Sequence, residues 1–496
     1  METEIKKTPF YSQKLDDKYS ILGRSIGVDT QTQSLSTRTI ESSNLISGDL
    51  NGKQLTFSFT VSPSAYIDWN NCNMEIGFQF ISNDGAHFAS NVSIPWNLLL
   101  FIFEEIKVKF NGTVVFNKVS GEYLETQTFK LLTENTNEEL NASEIVFAPV
   151  GDYNYNIDKD GYGFTNTDKS SDDPNAKIRY QNWISIFDDS RNSIKNKRPT
   201  FKDLFFSMPG FSKNLRNVNI DIKLKNNIPL SKHKTNGSGK MIIKYMRLQL
   251  HEYNFSPSAA ISALNNKING EDEHLSFIDV NKQDRVYSPY VTVTNQENIQ
   301  WVAAVQFCHT VETRVTGRAG LKAGASYQNC GQFLLMNGYG KDEANDAGVN
   351  NLLHRSDLPP TTNAANPVLG TPCYNPITSI QAQYGSILYP SNAIDTQNDD
   401  NLSLLKTDEL YSEYKKAVGF NDPAVPEDIF RRTMPFFLVK FTPNIKLMQS
   451  GDIIIRMPGF SGTNNTATKK ISIIYGQLKS YNISPSGIVS ESISSF

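Results

Sequence analysis

Two segments of the chain are nearly identical, and this duplication constrains the fold more than any other feature. The sequence QLHEYNFSPSA occupies residues 249–259 of the 496, and QLKSYNISPSG occupies residues 477–487. Seven of the first ten positions are the same in both segments. Because proline cannot donate a hydrogen bond to a β-ladder, the Ser-Pro-Ser in each copy predicts the end of a strand. The repeat therefore predicts two related β-domains in tandem.

A second echo, MPGFS, stands at residues 208–212 and 457–461, each time ahead of the longer repeat. The distance from Met208 to Tyr253 is 45 residues, whereas Met457 lies only 24 residues before Tyr481. We interpret the difference as a loop insertion at NNIPLSKHKTNGSG, since loops tolerate added length. A recurrent strand-end turn is the alternative to duplication, because VSPSA near the start of the chain contains Ser-Pro-Ser without the rest of the repeat.

Composition narrows the class of protein. The length favours two domains, and 29 Phe with 21 Tyr favour packed sheets. A net charge of −3 excludes a surface built wholly for nucleic acid or anionic membrane. Four cysteines without a CxxC pair predict buried, reduced thiols rather than a zinc site or a disulfide scaffold. The longest apolar run, LLLFIF, is too short to span a bilayer, and the first residues lack the apolar segment of a signal peptide.

Alternation of apolar and polar residues predicts strands in both halves. In IKVKFNGTVVF (106–116), Asn111 and Gly112 supply the two positive-φ positions of a type I′ hairpin turn. Helices are predicted at 120–132, 256–270 and 407–419. The other predicted strands are LTFSFTV (55–61), CNMEIGFQF (72–80), TFKDLFFSMPGF (200–211), VNIDIKL (218–224), MIIKYMRLQL (241–250), VTVT (291–294), IQWVAAVQF (299–307), QFLLM (332–336), FFLVKF (436–441), DIIIRM (452–457) and KISIIYGQL (470–478).

One loop half-matches a calcium site, NIDKDGYGFTNT at residues 156–167. Asn156, Asp158 and Asp160 stand at its first, third and fifth positions, and a glycine follows at the sixth. Thr167, however, replaces the glutamate that would bind calcium through both oxygens. We interpret this stretch as a solvated turn within a polar loop, and we predict no metal site, cofactor site or catalytic residue in the chain.

The charge is uneven along the chain. Residues 191–247 contain fourteen Lys or Arg and two Asp, a net charge of +12, so the remainder carries −15. Such a segment could contact packaged nucleic acid or an acidic patch on a neighbouring subunit. Alternatively, lysines such as Lys223 and Lys225 are the solvated side of an alternating strand. Both interpretations remain open from the sequence.

Four segments in the first half resemble a known family in their order. They are YIDWNNCNMEIGFQF (66–80), WNLLLFIFEEIKVKFNGTVVF (96–116), DLFFSMPGFSKNLRNVNIDIKL (203–224) and IKYMRLQLHEYNFSPS (243–258). Together with the duplication, they resemble the double jelly-roll major capsid proteins of the adenovirus, virophage and polinton-like virus lineage. The resemblance covers roughly half of the chain, and Trp69 stands where that family more often has leucine.

This resemblance implies an all-β fold of two tandem eight-stranded jelly rolls with long loops and a few short helices. The expected divisions are an extended arm at residues 1–48, a first jelly roll at 49–270 and a second at 271–496. The implied function is structural: a homotrimeric, pseudo-hexameric capsomer in the icosahedral shell of a virion, assembled inside the host cell beside penton and minor capsid proteins. The alternatives are a single-jelly-roll capsid protein of a small DNA virus with large loop insertions, and a β-sandwich carbohydrate-binding protein or glycosidase.

Overall fold

A computed structural model gives the fold of both halves. It describes residues 32–44, 48–61, 65–82, 92–93, 97–119, 122–147, 194–208, 215–228, 231–232, 239–255, 272–286, 288–305, 309–314, 326–329, 379–396, 408–427, 430, 436–441, 450–458 and 470–491.

The elements of the first half run from residue 32 to residue 255. They are β1 (Thr32–Glu41), β2 (Gln54–Thr60), β3 (Ala65–Ile67), β4 (Asn73–Ser82), β5 (Val92–Ser93), α1 (Leu98–Phe101), β6 (Phe103–Phe110), β7 (Thr113–Lys118), α2 (Glu122–Glu134), α3 (Asn137–Ala142), β8 (Lys195–Lys197), α4 (Phe201–Leu204), β9 (Asn217–Leu224), β10 (Ser231–Lys232) and β11 (Gly239–Phe255).

The elements of the second half run from residue 273 to residue 491. They are β12 (Glu273–Val286), β13 (Tyr290–Glu297), β14 (Ile299–Val305), β15 (His309–Arg314), β16 (Ser326–Asn329), β17 (Ser379–Tyr384), β18 (Ile387–Asp395), α5 (Asp408–Val418), β19 (Phe437–Lys440), β20 (Ser450–Arg456), β21 (Lys470–Ile483) and β22 (Val489–Glu491).

The two halves have the same sheet topology. In the first half, one sheet has the order β1-β11-β4-β8 and the other the order β2-β9-β6-β7. In the second half, the corresponding orders are β12-β21-β14-β19 and β13-β20-β17-β18. Neighbouring strands in these four sheets are antiparallel. Two such pairs of sheets are two eight-stranded jelly rolls. The predicted fold class is confirmed, and the alternative of a single jelly roll is wrong.

The repeated segment occupies equivalent places in the two halves. β11 and β21 are the corresponding inner strands of their sheets. Tyr253 on β11 pairs with Leu35 on β1, and Tyr481 on β21 pairs with Leu275 on β12, the counterpart of β1. The second copy ends its strand as predicted, because Ser484 and Gly487 form a turn that leads back into β22. The predicted duplication is therefore confirmed.

The MPGFS echo does not belong to this duplication. Met208 precedes β9, whereas Met457 follows β20, which is the counterpart of β9. The connections from β9 to β11 and from β20 to β21 span 225–238 and 457–469, so their lengths are nearly equal. The predicted loop insertion is therefore wrong, and the two spacings differ because the pentapeptides lie on opposite sides of equivalent strands.

Two further sequence interpretations need correction. Part of the segment predicted as an extended arm is strand β1, which pairs with β11 from Thr32 to Glu41. The segment predicted as a strand from residue 200 begins instead with the one-turn helix α4. The Thr200 hydroxyl accepts the backbone N–H of Asp203 at 3.2 Å, and this cap favours helix over strand locally.

Several local predictions are confirmed. Asn111 and Gly112 both have positive φ, 47° and 92°, in the turn between β6 and β7. Helices α2 and α5 lie where they were expected, and Gly419 with φ 74° follows the end of α5. Cys72 is buried and not in a disulfide, and burial raises the pKa of its thiol. The predictions for residues 156–167, 256–270 and 332–336 and for the other three cysteines lie outside the described residues.

Trp69 anchors the core of the first jelly roll. Its ring packs against Phe110 at 5.4 Å, Phe201 at 4.9 Å and Phe206 at 5.1 Å between centroids. Its indole N–H donates to the Phe206 carbonyl at 2.8 Å, so the buried polar atom is satisfied. This packing fixes the connection that follows α4 against the sheet.

Candidate functional site: the seam between the two jelly rolls

The feature that sets this chain apart from two separate sandwiches is the seam, which we define as the contact of β7, α2, the β6–β7 turn and Phe206 with the second jelly roll. Lys118, at the end of β7, crosses it. Its ammonium group donates to the Val280 carbonyl at 2.7 Å and to Asn281 Oδ1 at 2.9 Å, both on β12. The same group lies 3.1 Å from Asp279 Oδ1, and both side chains are buried. A buried lysine thus joins the edge strands of the two halves.

Further charged groups surround this pair. Glu122 on α2 lies 3.6 Å from the Lys118 ammonium group. Lys479 on β21 binds the second oxygen of Asp279 at 3.2 Å. Because Asp279 has an ammonium group on each oxygen, its buried charge is compensated on both sides.

A second ion pair lies along the same helix. Lys282 on β12 binds Glu125 on α2 and also lies 3.1 Å from Asp284. Burial raises the pKa of Glu125 to about 7, although Lys282 acts in the opposite direction. Burial acts to lower the pKa of Lys282, but Glu125 and Asp284 outweigh it and raise that pKa. Lys282 is therefore charged across the whole neutral range.

Aromatic rings pack across the seam next to the charged groups. Phe206 and Phe277 stack across it with centroids 4.0 Å apart, and Phe277 stacks in turn on Tyr481 at 5.9 Å. The Tyr481 hydroxyl donates to the Val115 carbonyl of β7 at 3.4 Å. The tyrosine of the second repeat copy thus contributes to the contact between the halves.

Helix α2 also packs on the second jelly roll and on α5. Phe129 lies 6.5 Å from Trp301 and 5.3 Å from Phe436 between ring centroids. On α5, the buried Tyr414 hydroxyl donates to the Leu132 carbonyl at 2.8 Å, and burial raises the pKa of this phenol. The apolar residues of both halves consequently form one continuous core.

The hairpin turn of the first jelly roll binds the Ser-Pro-Ser turn of the second. The Asn111 amide donates to the Gly487 carbonyl at 2.8 Å. Its Oδ1 accepts the backbone N–H groups of Arg216 at 2.9 Å and Asn217 at 2.8 Å. One asparagine side chain therefore accepts two backbone N–H groups at the start of β9 and also binds the turn near the end of the second jelly roll.

Replacing Asn111 with glycine should test this contact, because glycine keeps the positive φ but removes all three side-chain hydrogen bonds. We expect the free energy of unfolding in urea to fall by about 2 kcal/mol. The control is Asn298→Gly, at another asparagine with positive φ, 54°, whose side chain makes no hydrogen bond to the described residues. That variant should stay within about 0.5 kcal/mol of the wild type, and an equal loss in both would contradict the role of Asn111.

The described cations of residues 191–247 are largely engaged within the chain. Burial acts to raise the pKa of Glu75, but a hydrogen bond from Asn196 and the charges of Arg198 and Arg247 outweigh it and lower that pKa. The ion pairs are Lys197–Glu144, Arg198–Glu75, Lys223–Glu104, Lys244–Asp49 and Arg247–Glu75. These pairs favour the structural interpretation of the basic segment, and contact with nucleic acid stays a prediction.

Within the described ranges, no three or more His, Cys, Asp or Glu side chains are grouped so as to hold a metal ion. The helices of the described part are all too short or too polar to span a lipid bilayer. Sequence reasoning did not find the seam, although one signal was present. Lys118 and Asp279 occupy inward positions of alternating strands, where Phe116 and Phe277 also point.

The fold and the seam define a double jelly-roll protein. No family model and no curated protein matches the chain. Among solved structures, a chain of the Sputnik virophage structure determined by cryo-EM is similar with a TM-score of 0.51 and 10% identity. The match covers 95% of this chain and 90% of that one. At this identity the likeness shows the fold alone, and it confirms at the level of the fold the resemblance stated from the sequence.

Two other solved structures are also similar to this chain. The PBCV-1 virus capsid gives a TM-score of 0.45 at 9% identity, over 95% of this chain and 98% of that one. The mavirus major capsid protein gives 0.41 at 11% identity, over 95% of this chain and 91% of that one.

Proposed function

We propose that this chain is a viral major capsid protein, three copies of which form a pseudo-hexameric capsomer of an icosahedral shell. The observation that carries the proposal is the pair of topologically equivalent sandwiches joined by a buried seam. Three copies of such a chain around a threefold axis present six similar corners, which allows one chain to tile a surface in sixfold fashion. The likeness to a chain of the Sputnik virophage structure supports the same function.

The seam gives this function its physical basis. A capsomer transmits force between neighbours only if its two jelly rolls keep a fixed relative position. Interfaces between domains of one chain are by default mobile unless they are large and apolar. Here the aromatic stack, the lysine that crosses from β7 to β12, and the packing of α2 hold the halves together.

We further propose that the chain acts as a structural component of the virion rather than as an enzyme. It assembles with itself inside the host cell, and penton and minor capsid proteins complete the shell. The divisions at 49–270 and 271–496 describe the two jelly rolls, with β1 added to the first because it pairs with β11.

The proposal is tested by determining the mass and shape of the particle that the purified full chain forms. Light scattering should give three times the 55.6 kDa of one chain, or a closed shell, and electron microscopy should show threefold particles with six corners. Binding to a glycan array is measured on the same material. A monomer at all concentrations that binds glycans would favour the carbohydrate-binding alternative and overturn the capsid proposal.

A further inference from the structure

The charged cluster of the seam contains one more carboxylate than ammonium groups. Lysines reach it from three strands, β7, β12 and β21, while the acidic residues come from α2 and β12. The lysines are Lys118, Lys282 and Lys479, and the acidic residues are Glu122, Glu125, Asp279 and Asp284. Among the groups joined by these ion pairs, three cations balance three anions, so ionisation of the fourth carboxyl group leaves one negative charge without a cation of its own.

Among the four carboxylates, Glu125 is the buried one whose negative charge is least compensated by nearby cations or water. Asp279 has an ammonium group on each oxygen, at 3.1 and 3.2 Å. The side chains of Glu122 and Asp284 are 30% and 46% exposed, so water solvates their charges. Glu125 is only 17% exposed, and its one ammonium partner in the described part of the chain, Lys282, also pairs with Asp284. Glu125 is therefore the first carboxyl group of the cluster to take up a proton as the pH falls.

The titratable groups near Glu125 come from its own helix and from β12 and β21, which pack against that helix. On its own helix Glu122 raises its pKa, and from β12 Asp284 raises it while Lys282 lowers it. The phenol of Tyr475 on β21 lies near the same cluster and is influenced by Glu122 and Asp279. Arg285 binds the Thr292 carbonyl at 3.2 Å. Lys118 and Lys479 both bind Asp279.

We propose that Glu125 makes the seam a pH-responsive joint: its carboxyl group is protonated while the seam is tightly closed at acidic pH, and its ionisation as the pH rises past neutrality loosens the contact between the two jelly rolls. The direction follows from linkage. In the unfolded or opened chain the carboxyl ionises at its ordinary pKa of 4.5, whereas in the closed seam it ionises at about 7. The closed state thus holds the proton more strongly, and this stabilisation is full below pH 4.5 and lost as the pH rises through 7.

Hydrogen–deuterium exchange of the α2 and β12 peptides, corrected for the intrinsic pH dependence of exchange, measures the opening of the seam. Each pKa unit is a factor of ten, so the opening constant of the wild type should rise roughly a hundredfold between pH 5 and pH 8. Glu125→Gln should abolish this rise. Glu134→Gln is the matched control, because Glu134 lies on the same helix and pairs with Lys130 at 3.3 Å outside the cluster; it should keep the rise in full.

A second variant keeps the test decisive should Glu125→Gln prevent folding. Asp284→Asn removes a half-exposed negative neighbour that competes with Glu125 for Lys282, so the midpoint of the rise should move to lower pH. A wild type without pH dependence, a Glu125→Gln variant with the wild-type profile, or an unchanged midpoint in Asp284→Asn would each overturn the proposal. None of these outcomes depends on the particle that the chain assembles into.

Discussion

Replacing Lys118 with methionine is expected to lower the free energy of unfolding by about 4 kcal/mol, because it leaves buried charge without its partner. Methionine keeps most of the apolar stem but loses the ammonium group that donates to Val280 and Asn281. Among the described residues, Asp279 then keeps Lys479 as its one cationic partner. Urea denaturation followed by fluorescence and circular dichroism measures the loss.

Two controls separate this effect from ordinary loss of charge. Lys416→Met removes a lysine that is 67% exposed and pairs with Glu413 at 2.6 Å on α5, and it should change the free energy by less than about 0.5 kcal/mol. Adding Asp279→Asn to Lys118→Met removes the buried carboxylate that has lost one of its two cationic neighbours and should restore part of the stability. A loss below about 1 kcal/mol in Lys118→Met would show that the seam does not depend on this lysine.

Replacing Gly476 with alanine is expected to destabilise the second jelly roll by about 3 kcal/mol through overpacking. Gly476 on β21 pairs directly with Trp301 on β14. A Cβ at position 476 would lie 2.3 Å from the indole nitrogen of Trp301 and 2.5 Å from Cε2. Trp301 is buried beside Phe129 of α2, so the ring cannot move aside without opening the seam. Thermal and urea unfolding both report this loss.

The first jelly roll provides a matched control. Gly77 on β4 pairs with Tyr245 on β11, and an added Cβ would lie 2.1 Å from that ring. Tyr245 is half-buried on the outer side of the sheet, and its ring can rotate outward at the loss of the contact with Arg247 and of the 3.3 Å hydrogen bond from its hydroxyl to Glu75. Gly77→Ala should therefore lose only about 1 kcal/mol. Equal losses in the two variants would contradict the claim that Trp301 is fixed by the seam.

Local sequence patterns predicted eleven of the 22 described strands, and they succeeded where one buried face of a sheet imposes alternation. In β2, Leu55, Phe57 and Phe59 are buried while the intervening residues face outward, as the alternation predicted. The Asn-Gly turn was predictable because few other pairs adopt two positive φ angles. The helix at α4 was missed because the apolar Phe205 and Phe206 imitate a strand, although they pack around Trp69.

The seam could not be predicted, because its partners are far apart in the sequence. Lys118 and Asp279 have no local signature other than a charge at an inward position of a strand, and only the fold shows that each is the partner of the other. The same holds for Asn111 and Gly487, which a sequence pattern assigns to two unrelated turns. The repeated MPGFS segment shows the opposite limit of sequence patterns, since its two copies do not occupy equivalent places in the two jelly rolls.

The account depends on the two jelly rolls acting as one unit, and hydrogen exchange in increasing urea tests this most directly. Peptides from β11 and β21 report the opening of the first and second jelly roll separately. In the wild type both should lose protection at the same urea concentration, and in Lys118→Met the two midpoints should separate. Two well-separated transitions in the wild type would contradict the account, because the sandwiches would then be independent domains joined only by the chain.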